Sequence, residues 1–247
     1  MVNWKQLSIL SERYLEIVLG DRGNTLLLLV QAPIIAGFII LVWKDYEAPT
    51  NSLYFVMALS AVWFGCINSC REIVKEKAIF AREARVGLNP TSYLLSKFLI
   101  LAGLGLLQCL MLVFPVNLYV PLPGSPLVHF FFMSLASLGG TALGLFVSCW
   151  MSTSERAVAA VPIFLLPQIL LSDQIVSHEH SSKLIKWLEH MTLTTWTYDG
   201  MKEVTKTEWS VFKIFEYGGA LLLMTAILLL LANLLIGWQA RRPSLGS

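Results

Sequence analysis

The sequence predicts an all-α membrane protein with six transmembrane helices, and three observations carry that prediction. The chain of 247 residues is 56% hydrophobic and only 14% charged, against roughly a quarter charged in ordinary soluble domains. Apolar runs such as Thr25 to Trp43 and Gly218 to Gly237 approach the ~20 residues that cross a hydrocarbon core about 30 Å thick. The charges gather between these runs. Such a balance excludes a secreted disulfide scaffold, a disordered chain and a nucleic-acid binder. The net charge of +2 decides little; the placement of the charges decides more.

Residues 1–23 read as an amphipathic helix on the cytoplasmic side. Trp4, Leu7, Leu10, Tyr14 and Val18 recur at spacings of three and four, with Lys5, Glu12, Arg13 and Glu16 around them. Such a helix lies along the inner membrane face. Glu12, Glu16 and Asp21 stand where a signal peptide would carry a basic tip and an apolar core, so no cleavable leader is expected. Gly20 to Asn24 breaks this helix. The rest, 24–247, reads as one membrane domain with spans at about 24–43, 51–70, 93–116, 127–150, 156–173 and 216–238. All are read as helices, because backbone polar groups find no water in lipid. Pro162 and Pro167 interrupt the fifth, which is expected to bend.

Orientation follows from Lys and Arg near the span ends. Lys5, Arg13 and Arg22 precede the first span, and Arg71, Lys75, Lys77, Arg82 and Arg85 lie between the second and third. Arg156 follows the fourth, and Arg241 with Arg242 follows the sixth. The opposite side has Lys44, no cation from Asn117 to Val128, and lysines interleaved with acids in the last loop. Both termini are therefore expected in the cytoplasm.

No catalytic set and no metal centre is expected. The chain contains no Gly-Lys pair, hence no phosphate-cradling loop of the G-x-x-x-x-G-K-[ST] kind. His178, Glu179 and His180 form a short-spaced group that matches no zinc pattern and reads as a solvated loop. Cys66, Cys70, Cys109 and Cys149 all fall within predicted spans. Cys66 and Cys70 share a helix face, but two thiols without further ligands read as packing residues. The polar groups within spans, Gln31, Asn68, Gln108, Gln168 and Asn233, are uncharged and read as interhelical hydrogen-bonding groups.

The segment from Arg71 to Gly87 is the most informative. Its charges alternate in sign, yet Ile79, Phe80 and Val86 sit among them. Apolar residues ringed by charge fit a docking surface. An ordinary charged loop resting on lipid headgroups fits the same pattern. Gly87 ends the helix and Asn89-Pro90 turns the chain back.

Glu76-x-x-x-Phe80-x-x-Glu83-x-x-x-Gly87, with Ser92-Tyr93 and Lys97, resembles the membrane domains of the ABC transporter G subfamily. Gln6-Leu7 to Arg13-Tyr14 with Asp21-Arg22 resembles that group's connecting helix, and Gln31-Ala32-Pro33 follows as in bacterial members. Leu170-Leu171, and Trp187-Leu188 with Thr192 to Met201, agree in order and spacing. Thr194 departs from a usual proline.

The resemblance implies the permease half of a type-2 ABC exporter in a bacterial inner or plasma membrane. It implies that Glu76, Phe80, Arg82, Glu83 and Arg85 form or support a coupling helix against an ATP-binding subunit. It makes Phe64 the aromatic that stacks on substrate in the cavity, puts Asn68 on the same substrate pathway one turn further on, and makes Leu170 and Leu171 the apolar plug at the outer exit. An outer helical segment from Ser177 to Trp209 would cap that exit. ATP and Mg²⁺ would be bound by the partner, on a separate chain or on a part removed from a fused one. A second copy, or a paralogous permease, would complete the pathway within the lipid bilayer. The expected cargo is amphipathic or lipid-like. Export of a lipid-linked polysaccharide or glycolipid, an ATP-independent channel and a membrane enzyme are the alternatives.

Overall fold

Ten α-helices and no strand make up residues 2–46, 50–120, 122–172, 183–206 and 208–241, which the computed structural model describes. Helix α1, Trp4–Gly20, starts where the Asn3 side chain accepts the Gln6 N–H at 3.3 Å. Asp21 ends α1 and starts α2, Arg22–Trp43, by accepting the Asn24 N–H at 3.3 Å. One carboxylate thus fixes the break predicted from Gly20 to Asn24. Leu7, Leu10 and Tyr14 of α1 are buried, while Trp4 turns away and is exposed.

Helix α3, Asn51–Ser69, is followed by a 3-10 turn at Val74–Glu76 and by α4, Lys77–Arg85. Gly87, with φ of 98°, makes the turn that a side chain would resist. Asn89 then accepts the N–H groups of Thr91 and Ser92, and Pro90 opens α5, Pro90–Tyr119. Helix α6 is Pro126–Trp150, α7 is Ser154–Leu170 and α10 is Val211–Arg241. Before α10 come α8, Lys183–Glu189, and α9, Leu193–Glu203, the helical segment expected there. Leu184 and Trp187 of α8 are exposed.

Among the described residues, five helical stretches are long and apolar enough to cross a membrane: α2, α3 with its continuation to Arg85, α5, α6 and α10. The protein is an all-α membrane protein. The fifth expected span corresponds to α7, which has 17 residues and so rises only about 25 Å. It runs through both Pro162 and Pro167 without interruption.

The centre of the bundle is the α3–α6 pair, whose backbones touch. A Cβ on Gly65 would lie 2.1 Å from the Ser137 carbonyl oxygen, and one on Gly140 would lie 2.3 Å from that of Val62. A Cβ on Gly144 would meet the Cys66 oxygen at 2.5 Å. These glycines therefore serve close helix packing, the use expected of small residues in lipid. Ser69 Oγ donates to the Thr141 carbonyl at 3.0 Å across the same seam.

All four cysteines are free and buried. Asn68 Nδ2 donates to Gln108 Oε1 at 2.6 Å, and Gln108 Nε2 donates to the Leu28 carbonyl at 2.6 Å. This chain of bonds links α3, α5 and α2. Gln168 joins α7 to α9 by accepting the Thr194 N–H at 3.3 Å, a bond that proline at position 194 could not make. Gln31 Nε2 and Asn233 Oδ1 have no hydrogen-bonding partner among the described residues. His178, Glu179 and His180 lie outside the described residues.

Candidate docking helix and its polar anchor

Helix α4 is short and carries five charges in or beside it, so its own hydrogen bonds cannot hold it in place. Three other helices, α6, α1 and α5, do. Ser148 Oγ, near the end of α6, accepts the N–H groups of Ile73 and Val74 at 2.9 and 3.0 Å. Below them Phe80 inserts between α1 and α5, 3% exposed, with its ring 4.8 Å from that of Tyr93. Sequence pattern grouped Phe80 with Ile79 and Val86 as an exposed apolar residue. The structure corrects that: Phe80 is the anchor, and its neighbours face outward.

Around the anchor runs a buried polar network. Lys97 of α5 is enclosed, with Nζ 2.8 Å from Glu76 Oε2 and 4.0 Å above the Tyr14 ring. Tyr93 donates its hydroxyl to the same Glu76 oxygen at 3.1 Å. Tyr14 donates to Glu72 Oε2 at 2.5 Å, and Lys75 pairs with that carboxylate as well. Burial first, and the Glu72 charge second, hold the Tyr14 phenol far above its usual range, so it remains a donor. Arg13 closes the ring by gripping both oxygens of Glu83 at 2.8 and 3.4 Å.

The N-terminus of α1 is stitched to the same place. Gln6 donates to the Gly87 carbonyl at 3.1 Å and accepts the Asn89 N–H at 2.9 Å. Asn3 N–H donates to Ser92 Oγ at 2.9 Å. Arg71 reaches α2 by donating to Asn24 Oδ1 at 2.9 Å. Helices α1, α4 and α5 therefore move as one piece, because any displacement of α4 breaks charged and buried bonds together.

What is left facing outward on α4 is Ala78, Ile79, Ala81, Arg82 and Arg85, followed by Val86. Ile79 is 43% and Val86 86% exposed, with Arg82 and Arg85 between them. The five residues singled out beforehand thus divide. Glu76, Phe80 and Glu83 point inward and fix the helix; Arg82 and Arg85 present its surface. Sequence reading missed the extent of the network. The available signal was Lys97, a cation inside the predicted third span, which buried apolar surroundings oblige to find a carboxylate.

The predicted pathway residues fall elsewhere. Phe64 is completely enclosed by the core of α3, α5 and α6. The aromatic of that stretch which reaches the surface is Trp63, 38% exposed. It belongs to a stripe of Ser52, Val56, Leu59, Trp63 and Ile67, which with Asn51 at the helix start is the part of α3 not buried. Asn68 is buried and held by Gln108. Leu170 is 60% exposed at the end of α7, beside Leu171, whose N–H donates to the Pro167 carbonyl at 2.9 Å.

A helical membrane bundle with an amphipathic lead-in helix and a pinned polar helix between α3 and α5 is matched by a known family model. Residues 5–205 match the model described as ABC-2 type transporter. The chain belongs to the ABC-2 type transporter family. It is an ABC-2 permease domain, and membership implies transport together with an ABC subunit that binds ATP. One similar curated protein is the ABC transporter ATP-binding/permease protein Rv1747 of Mycobacterium tuberculosis, 23% identical over 192 residues. That match covers 70% of this chain and 22% of the relative, so the chain spans about a fifth of that protein's length. In the relative, by its name, ATP-binding and permease functions are joined.

Proposed function

We propose that this chain is the transmembrane subunit of an ATP-driven exporter that moves an amphipathic or lipid-like molecule outward. The observation that carries the reading is the outward face of α4. Ile79, Arg82, Arg85 and Val86 offer apolar area and positive charge on a helix that the bundle holds rigidly. A rigid lever with an outward-facing apolar and basic surface is what a driven permease needs: closure of ATP-binding subunits pushes the lever, and the bundle tilts with it. ATP and Mg²⁺ would reside in that partner. The α1 and α4 end is then cytoplasmic, in agreement with the clustering of Arg and Lys there.

Two copies of the chain, or this chain and a paralogue, would face each other across α3 and α7. The stripe around Trp63 and the exposed Val158, Ile163, Leu166 and Leu170 of α7 give both helices an apolar side that the described residues leave at least partly uncovered. Substrate would pass between these sides. Trp63 and Leu170 would touch it, and Phe64 would act by supporting α3 from behind. Asn68 and Leu171 take supporting places in the same scheme.

The test is reconstitution with the ATP-binding subunit in vesicles, following a fluorescent lipid analogue. ATP-dependent movement that stops when the partner's hydrolysis is blocked is expected. Movement at the same rate without ATP would instead favour a channel.

A further inference from the structure

Helices α6 and α10 leave a groove on their outer side. It measures about 440 Å³ and is lined by Phe146, Trp150, Leu231, Leu234, Leu235 and Trp238. Ligand pockets run from roughly 300 to 1,000 Å³, so the size is that of a binding site. Both walls are helical stripes: positions 146 and 150 on α6, and 231, 234, 235 and 238 on α10. Trp150, Leu231, Leu234 and Trp238 are exposed, so the described part of this chain leaves the groove open. Gln239 Nε2 donates to the Cys149 carbonyl at 2.8 Å, a latch that holds the two helix ends together at the groove's mouth.

The mouth differs chemically from the groove. Trp150 is the last residue of α6, and Trp238 lies one turn before the end of α10, the depth at which aromatic belts meet the headgroups. Cations collect there. Lys77 Nζ donates to the carbonyl of Met151, next to Trp150, at 3.4 Å. Arg156 Nη1 donates to Ser152 Oγ at 2.8 Å, and Arg241 ends α10. Glu155, beside Arg156, is held ionised by its own backbone N–H and by Thr153, so it offsets part of this positive charge.

The geometry points to a site for one anionic phospholipid, its acyl chain in the α6–α10 groove and its phosphate between Lys77 and Arg156. A neutral lipid would use the apolar walls but not the cations. The groove's apolar walls lie on α6 and α10, and α7 contributes only Arg156 near its start. The sides assigned to a second copy are those around Trp63 of α3 and from Val158 to Leu170 of α7, so the lipid is resident rather than cargo. It also sits against α4: Lys77 is the first residue of that helix. Lipid charge would therefore bear on the docking helix directly.

The test uses the purified full chain in mixed micelles with phosphatidylglycerol or phosphatidylcholine brominated on the acyl chain, which quenches nearby tryptophan. The groove's share is the quenching lost in the Trp150→Phe, Trp238→Phe double variant. Brominated phosphatidylglycerol is expected to quench that share at lower mole fraction than phosphatidylcholine, by about fivefold per cation engaged. Lys77→Gln and Arg156→Gln should each reduce the preference, and together bring the two lipids to parity. Leu231→Phe, which narrows the groove and touches no cation, should weaken quenching by both. Equal quenching by the two lipids in the unaltered chain would overturn the proposal. So would a preference that survives loss of both cations. Absence of quenching by either lipid would mean that protein covers the groove, which also overturns it.

Discussion

Tyr14 and Glu72, 58 residues apart, share a 2.5 Å hydrogen bond that joins the amphipathic lead-in helix to the turn before α4. The phenol cannot ionise there, and the carboxylate has Lys75 as its second partner. Through this bond, Arg13–Glu83 and Lys97–Glu76, the surface helix gains the rigidity of the membrane bundle. Removing Tyr14 or Lys97 leaves a buried acceptor or charge uncompensated, whereas Arg13 and Glu83 are both partly exposed.

Tyr14→Phe should therefore cost about 1–3 kcal/mol, since Glu72 keeps Lys75 alone. Lys97→Met should cost more, about 3–5 kcal/mol, because Glu76 stays behind in an enclosed site. The double change Lys97→Met, Glu76→Leu should recover most of that loss. Thermal unfolding in detergent reads all three, and a double variant as weak as the single would contradict the pairing.

Glycines divide into two kinds. Gly65→Ala and Gly140→Ala drive a methyl group against backbone oxygens at 2.1 and 2.3 Å, and the α3–α6 seam should open or fail to assemble. Gly103→Ala and Gly219→Ala meet nothing within 4 Å. They should leave stability unchanged or raise it by up to about 1 kcal/mol. Monodispersity on size exclusion with a melting curve separates the two groups.

Asp199 of α9 sets a pH dependence. Burial first, then the charge of Glu189, raises its carboxyl to about 6. The unfolded chain releases that proton near 3.9, so the contribution of Asp199 to stability is fully present below about pH 4 and is lost as pH rises through 6. Lys202, Lys206 and His190 act in the opposite sense and lessen the effect. Asp199→Asn should raise the melting temperature near pH 7, with a gain that shrinks steadily between about pH 6 and 4. A gain of equal size at both ends of that range would contradict the assignment.

The helical membrane fold was legible because lipid imposes one pattern: long apolar runs broken by charge. Helix starts were legible where a cap marks them, as at Asn89-Pro90 and Asp21. The α7 span was not settled, because two prolines and 17 residues leave its length short of the others. Within the site, the existence of a charged helix could be read from Arg71 to Gly87, but not which way it turns. Phe80 and Ile79 are adjacent and equally apolar in sequence. Only the packing of Tyr93 and Leu10 decides that one is buried and the other free. Phe64 and Trp63 pose the same difficulty, since a helix whose unburied stripe is itself largely apolar has no polar side to set its rotation.

The central claim is that α4 docks through its outer face and is merely held by its inner one. The measurement is co-purification with the ATP-binding subunit, set against melting temperature, for an outer pair and an inner residue. Ile79→Ala with Arg82→Glu should release the partner and leave the melting temperature unchanged. Phe80→Ala should lower stability by about 3–5 kcal/mol, as for an aromatic removed from a core. Full retention of the partner by the outer pair would contradict the account.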